Sequence, residues 1–223
     1  LLLALFGHAA YASAEALPFS LRCDSPPPHD RIVLIVPGMR QKTSDAEYRA
    51  VGEYYAARGI APVFVDIEWG FLGINYLGAT AADIGAEVKK TYRDARICLF
   101  GFSFGAVIAY KMSGPVHPVH ALLCSMSPVF SEDRPCLILP FRLLMGWVSD
   151  YSSNRLTYAH DEGECLTFLY GDHDSFLINK SIIDRRRSAF VHSKVVIVKG
   201  AGHDLGPAYL EAIKAVIGGI SIP

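Results

Sequence analysis

The chain has 223 residues, 51% of them hydrophobic, which is enough apolar material for one medium-sized domain but too little chain for two full ones. Its 21 Lys and Arg residues nearly balance 22 Asp and Glu residues, and the longest basic run is Arg185–Arg187. This charge pattern argues against a nucleic-acid-binding protein, and we expect no nucleic acid among its partners.

Residues 1–14 have two features of a signal peptide. Leu1–Tyr11 is apolar over the length of a signal-peptide core, and Ala12–Ala14 has the small-x-small pattern of a cleavage site. Neither Met nor a basic stretch precedes them, so we expect the natural start to lie upstream of Leu1. The favoured interpretation is export to the periplasm or the medium. An uncleaved helix that packs on the domain or anchors it is the alternative, and it would make the protein cytoplasmic or membrane-associated.

An extended linker is predicted over residues 15–30, because Ser25–Asp30 contains three consecutive prolines, which forbid both helix and strand pairing. One domain then occupies residues 31–223. No later segment reaches transmembrane length without a charge, Gly or Pro, so we expect no stable membrane span in the mature chain.

The five cysteines lack the spacing of metal ligands, and no structural metal is predicted. Three of them fall in predicted strands, where cysteine commonly behaves as a small apolar residue. Cys23 and Cys136 fall outside the predicted strands and could form a disulfide in an exported protein.

Beyond the linker, apolar runs of strand length alternate with segments of helical pattern. The first of these runs, Arg31–Val36, does not alternate with polar residues, which is typical of a strand buried on both faces of a parallel sheet. Strands separated by helices predict right-handed crossovers and a mostly parallel sheet of about six strands, with helices on both faces. The predicted strands are Arg31–Val36, Ala61–Ile67, Ile97–Phe100, Ala121–Ser125, Cys165–Tyr170 and Lys194–Val198. The predicted helices are Asp45–Arg58, Ala79–Tyr92, the segment after Gly105, Leu177–Ala189 and Pro207–Ile217.

The third strand runs directly into Gly101–Gly105, which reads Gly-Phe-Ser-Phe-Gly and is followed by a helical pattern. A serine on such a strand-turn-helix connection is held in a strained conformation with its hydroxyl above the sheet edge, and the flanking glycines make room for the crowded backbone. An ordinary Gly-rich turn is the alternative. We interpret Ser103 as a candidate nucleophile.

Residues 128–164 form a longer interval than a plain crossover needs, and such long connections are usually functional. Leu137–Val148, in the middle of this interval, is strongly apolar. It is interpreted either as a crossover helix that fills the core or as a small lid over the carboxyl edge of the sheet, where ligands bind in open α/β folds.

Two polar turns follow the last two predicted strands. The first turn carries Asp172 and Asp174, and the second carries His203. Because the carboxyl ends of parallel strands meet at one sheet edge, we expect these side chains beside Ser103. A serine hydroxyl needs a neutral imidazole to take its proton, and the imidazole needs a carboxylate to fix its tautomer. The order Ser, Asp, His therefore predicts a catalytic triad.

From Arg31 to Ile217 the chain resembles the α/β-hydrolase family. The resemblance rests on three turns: the nucleophile elbow Gly101–Gly105, the Gly-x-x-Asp turn Gly171–Asp174 and the Gly-His turn Gly202–His203. It implies that Ser103 is the nucleophile, His203 the base and Asp174 the acid. Asp172, which is closer to the strand, is the competing acid.

The chain departs from the family pattern in two places. The family's His-Gly after its first central strand is Pro37–Gly38 here, and the two leading antiparallel strands are not evident, which predicts a compact member. An oxyanion hole uses backbone N–H groups, so it survives the first change. The resemblance assigns the N–H groups of Met39 and Phe104 to that hole.

The reaction that the resemblance implies is acyl transfer to water through an acyl-enzyme on Ser103, with no metal or organic cofactor. The possible lid and the phenylalanines beside the serine favour a hydrophobic acyl or alkyl group, so we predict a lipase-like carboxylesterase acting on small-molecule esters. The predicted substrate contacts are Phe102, Leu143, Leu144 and Trp147. A thioesterase or small-peptide hydrolase would use the same triad, and a non-catalytic, ligand-binding member of the fold is the alternative from a different class.

Overall fold

A mostly parallel β-sheet forms the centre of the computed structural model, which describes residues 16–24, 30–70, 77–126, 166–178, 180, 184 and 193–220. Within those ranges the strands are β1 (Phe19–Cys23), β2 (Arg31–Val36), β3 (Ala61–Ile67), β4 (Arg96–Phe102), β5 (His120–Cys124), β6 (Leu166–Gly171) and β7 (Lys194–Val198). Their order across the sheet is β1-β3-β2-β4-β5-β6-β7. Every neighbouring pair is parallel except β1 with β3. The six predicted strands and the mostly parallel sheet are confirmed.

Helices cover both faces of this sheet. The four described α-helices are α1 (Ala46–Ala56), α2 (Leu77–Thr91), α3 (Phe104–Val116) and α4 (Pro207–Gly219). Helices α2 and α3 bury one face together with Leu34, whereas α1 and α4 bury the other face together with Val33 and Ile35. Because both faces of a central strand are covered, β2 is apolar at successive positions, without polar alternation.

The strand β1 corrects two predictions, the extended linker over residues 15–30 and the absence of a leading antiparallel strand. It pairs with β3 from Phe19 opposite Ile67 to Cys23 opposite Val63. Phe19, Leu21 and Cys23 alternate along the strand and pack against the core beneath α2 and α3. This period of two is the signal of a half-buried strand, and the proline run that predicts a linker follows it directly. Cys23 therefore lies within a strand, not outside the strands.

Several predicted features lie outside the described residues: the signal peptide over residues 1–14, the prolines 26–28, Cys136 and the possible lid within 128–164. Export, the lid and the disulfide therefore stay predictions. Of the predicted helix Leu177–Ala189, the described beginning is a 3₁₀ helix at Ser175–Ile178. Among the described residues, no helix combines the length and the apolar character that crossing a membrane requires.

A histidine is buried at the start of β5. His120 is 4% exposed, and its Nε2 lies 3.0 Å from Thr167 Oγ1. Its Nδ1 is buried and has no hydrogen-bond partner among the residues that the structure describes. Burial lowers the pKa of His120 from 6.5 to about 4, because protonation would place a positive charge in apolar surroundings.

We expect this histidine to make the free energy of unfolding depend on pH. Between pH 6.5 and about pH 4 the unfolded chain binds a proton at His120 and the folded chain does not. The stability is therefore fully present above pH 6.5 and falls by on the order of 3 kcal/mol as the pH approaches 4. In urea unfolding over this range, His120→Gln should show a shallower pH dependence than the wild type. Thr167→Val keeps the imidazole and should retain the wild-type pH dependence, and an unchanged slope in His120→Gln would contradict the explanation.

Candidate active site

Ser103 occupies a tight turn between β4 and α3. Its backbone has φ 55° and ψ −120°, a conformation that residues with side chains rarely adopt. The flanking glycines make the turn possible, because a Cβ on Gly101 would lie 2.5 Å from Ala106 Cα and one on Gly105 would lie 2.3 Å from the Pro37 carbonyl oxygen. The structure therefore has the predicted strand, strained turn and helix at this position.

Ser103, His203 and Asp174 form one continuous chain of hydrogen bonds. His203 Nε2 lies 2.9 Å from Ser103 Oγ, and His203 Nδ1 lies 3.3 Å from Asp174 Oδ1 and 3.5 Å from Oδ2. The Asp174 side chain is fully buried, whereas 33% of the His203 side chain is exposed. A carboxylate facing Nδ1 favours the tautomer that is protonated there, and Nε2 is then available to accept the serine proton.

The turns that carry the acid and the histidine pack against each other after β6 and β7. The Asp172 N–H donates to the Val198 carbonyl at 3.0 Å. Gly171 has no room for a side chain, because a Cβ there would lie 2.1 Å from the Ala201 carbonyl oxygen. This close approach fixes the separation of the two turns.

Of the two candidate acids, it is Asp174 that faces the imidazole. Asp172 Oδ1 instead accepts a hydrogen bond from the Gly200 N–H at 2.8 Å, and 36% of the Asp172 side chain is exposed. Asp172 therefore braces the turn that precedes His203, while the buried carboxylate beside the ring belongs to Asp174.

Phe102 lies where its predicted substrate contact is not possible. It is 1% exposed, and its ring centroid lies 5.3 Å from that of His203 and 6.1 Å from that of Tyr209. Because side chains alternate along β4, Phe102 shares the face beneath α1 and α4 with Phe100. The predicted role is corrected: Phe102 supports the imidazole from the core.

The two predicted oxyanion donors lie on neighbouring connections. Met39 lies in the turn after β2 and is 38% exposed, and Phe104 is the first residue of α3. The N–H groups in the first turn of a helix have no carbonyl acceptor within the helix, so the N–H of Phe104 suits an external oxygen. Gly105 brings the two connections into contact through the Pro37 carbonyl.

Gln41 and Tyr48 hold the connection that carries Met39, and the sequence did not indicate either of them. The Gly38 N–H lies 3.1 Å from Gln41 Oε1 and 3.0 Å from the Tyr48 hydroxyl, which itself donates to Gln41 Oε1 at 2.5 Å. Burial raises the pKa of Tyr48 well above its ordinary value, so this donor keeps its proton. With the positive φ of 63° at Arg40, these contacts fix the backbone of the turn.

The other predicted substrate contacts, Leu143, Leu144 and Trp147, lie outside the described residues and stay predictions. Within the described ranges, no three side chains of His, Cys, Asp or Glu are grouped so that they would hold a metal ion.

Many solved structures share this architecture, including the following three. Est1E from Butyrivibrio proteoclasticus with bound ferulic acid has a TM-score of 0.71 at 16% identity, covering 94% of this chain and 96% of that one. Alpha/beta hydrolase domain-containing protein 10 from mouse has a TM-score of 0.66 at 12% identity, covering 92% and 94%. The thioesterase domain from the curacin biosynthetic pathway has a TM-score of 0.60 at 16% identity, covering 89% and 94%.

No protein-family model and no curated protein sequence matches the chain. At identities of 12–16% the likeness to the solved structures is one of fold. The strand order, the helices on both faces and these superpositions agree with the fold that the sequence predicts. The chain has the α/β-hydrolase fold.

Proposed function

We propose that the protein is a serine hydrolase that cleaves carboxylic esters through an acyl-enzyme on Ser103. The observation that supports this most directly is the hydrogen-bonded chain from the buried Asp174 carboxylate through His203 to the Ser103 hydroxyl. A protein that only binds a ligand has no need of a serine joined to an imidazole in this way. The neighbours of the same fold include proteins described as an esterase and a thioesterase domain, which agrees with hydrolysis of an acyl bond.

In the first half of the reaction, Ser103 Oγ attacks the carbonyl carbon while its proton passes to His203 Nε2. The buried Asp174 carboxylate stabilises the imidazolium and holds the ring with Nε2 towards the serine. The imidazolium then protonates the leaving alcohol. The ester C–O bond breaks and the acyl group remains on Ser103.

Two backbone donors would stabilise the negative charge that forms on the carbonyl oxygen. We assign them to Met39 and Phe104, because the turn after β2 and the start of α3 are in contact at Gly105. Donors on rigid backbone lose little free energy to reorganisation when the charge develops. Gln41 and Tyr48 fix the conformation of the first of these connections.

In the second half, water replaces the alcohol. His203 takes a proton from that water, the hydroxide adds to the acyl carbon, and the acid leaves as the proton returns to Ser103. Apart from the ester and water, each step of this cycle uses groups of the chain itself.

A hydrophobic acyl or alkyl group is the proposed substrate class. The support is the apolar composition of Leu137–Val148 and the exposed Met39 side chain after β2. Hydrolysis of an acyl thioester is the second candidate, and the likeness to a thioesterase domain favours it.

Labelling with a fluorophosphonate tests the proposal. Ser103 Oγ should displace fluoride from the probe, and peptide mapping should find the adduct on Ser103 and on no residue of Ser103→Ala. An unlabelled wild-type protein would indicate a non-catalytic member of the fold. With labelling established, aryl esters from acetyl to octanoyl and the matching thioesters should show the highest kcat/KM for long-chain esters. A preference for thioesters would select the second candidate, and a preference for acetyl would contradict the hydrophobic substrate class.

A further inference from the structure

A buried polar cluster lies beneath the proposed site, on the α4 side of the sheet. Tyr209, in the first turn of α4, is 0% exposed. Its hydroxyl oxygen lies 2.6 Å from Ser125 Oγ and 2.6 Å from the Gly171 nitrogen. Ser125 directly follows β5, and Gly171 is the last residue of β6. One phenol thus joins the carboxyl ends of two neighbouring strands.

The hydroxyl of Tyr209 is connected to the acid through Gly171. The Gly171 N–H donates to the phenol, and the Gly171 carbonyl accepts the N–H of Asp174 at 3.1 Å. The turn that carries the histidine packs on the same glycine through Ala201. A displacement of Gly171 would therefore move both turns.

The ring of Tyr209 is connected to the histidine by a second route. It meets the Phe102 ring edge-on at 6.1 Å with an interplanar angle of 88°, and Phe102 lies against the His203 ring at 5.3 Å. The hydroxyl of Tyr209 thus acts through Gly171, and its ring acts through Phe102. A substitution that removes only the hydroxyl distinguishes the two routes.

Ser125 is held in a conformation that this contact helps to stabilise. It has φ 46°, which is uncommon for a residue with a side chain, and it is fully buried. A buried hydroxyl on strained backbone is unfavourable unless it is hydrogen-bonded, and Tyr209 supplies the bond. Burial raises the pKa of Tyr209 above its ordinary value, so the phenol remains a neutral donor and acceptor.

We propose that Tyr209, supported by Ser125, is a positioning residue that holds the Asp174 turn where the carboxylate meets His203. This inference rests on the proposed hydrolase function and adds to it. Neither Tyr209 nor Ser125 touches the reacting atoms, and the phenol acts through the backbone of Gly171.

Tyr209→Phe removes the hydroxyl and keeps the ring against Phe102. We expect kcat for an aryl ester to fall on the order of 10²-fold with little change in KM, because a small displacement of a catalytic group lowers turnover without removing a substrate contact. In a plot of kcat/KM against pH, the decline on the acid side should occur at lower pH, because a displaced carboxylate stabilises the protonated imidazole less. If the variant only folded less well, the amount of active protein would fall and the pH profile would not change. Fluorophosphonate titration measures the amount of active protein.

Tyr55→Phe is the matched control. Tyr55 is also 0% exposed on the α1 and α4 face, and its hydroxyl has no hydrogen-bond partner within the part of the chain that the structure describes. Its removal should leave kcat and the pH profile unchanged. Ser125→Ala deletes only one bond of the Tyr209 phenol and should give a smaller change in the same direction. This variant carries the test if Tyr209→Phe does not fold.

A readout that needs no turnover separates this inference from the proposed function. The ¹H NMR signal of the His203 Nδ1–H, which donates to Asp174, should move upfield or broaden in Tyr209→Phe. If the wild type hydrolyses no ester but Tyr209→Phe still changes the Nδ1–H signal, the positioning role is supported and the hydrolase function fails. A wild-type kcat, pH profile and Nδ1–H signal in the folded variant would overturn the positioning role and leave the hydrolase function standing.

Discussion

Ser103→Ala and His203→Ala should each lower kcat for an aryl ester on the order of 10⁶-fold, the loss that strongly coupled triads show. His203 Nε2 lies 2.9 Å from Ser103 Oγ, so the two side chains act as one unit. Without the imidazole the hydroxyl keeps its proton, and without the hydroxyl the imidazole has no nucleophile to activate. The double variant should therefore lose little more than either single variant.

Steady-state kinetics, corrected for the background hydrolysis of the ester, measure this loss. A urea unfolding curve for each variant checks that it is folded. His173→Ala is the matched control, because His173 lies next to the acid in sequence but has a side chain that is 76% exposed. It should retain wild-type kcat. A Ser103→Ala protein that keeps more than about one hundredth of the wild-type kcat would contradict the nucleophile assignment.

Asp174→Asn should lower kcat on the order of 10⁴-fold. The carboxylate faces His203 Nδ1 at 3.3 Å from a fully buried position. An amide that presents its NH₂ group to Nδ1 favours the opposite tautomer, with the proton on Nε2, and that tautomer cannot accept the proton of Ser103. The amide also lacks the charge that stabilises the imidazolium.

Asp172→Asn is the control for the acid. Asp172 Oδ1 accepts the Gly200 N–H at 2.8 Å, a bond that the oxygen of an asparagine can keep. We therefore expect a small loss of kcat from this variant and a large one from Asp174→Asn, with similar unfolding curves. The reverse ranking would move the acid to Asp172.

The parallel strands could be predicted because each contains a short apolar run, and β2 to β6 are almost entirely buried between the helices on the two faces. β1 was the exception: it is half-buried at the sheet edge, so its signal is the weaker alternation of Phe19, Leu21 and Cys23. The three prolines that follow it are a stronger signal, and they predict a linker. The alternating signal of β1 is therefore weaker than an uninterrupted apolar run, and such a run predicts even β7, the strand at the opposite edge of the sheet.

The positions of Ser103, Asp174 and His203 followed from chemistry at strand ends, since parallel topology brings those ends together. Asp174 and Asp172 lie in one turn, and only the direction of the side chain, which a sequence pattern does not specify, distinguishes them. Phe102 is next to the serine in sequence, but alternation along β4 places it on the core face with Phe100. Tyr209 gave no signal, because it contacts Ser125 and Gly171 across 84 and 38 positions of chain.

The order of the strands has a consequence for a chain that is still being synthesised. From β2 to β7 every ladder is parallel, so none closes as a hairpin and each needs a crossover connection. Ser103 precedes its imidazole partner by 100 positions, and His203 comes 29 positions after the acid. A ribosome that adds residues from the N-terminus therefore displays the serine long before its base exists. Under the proposed function, a fragment that ends before His203 has no imidazole to activate Ser103, so its serine is an ordinary alcohol.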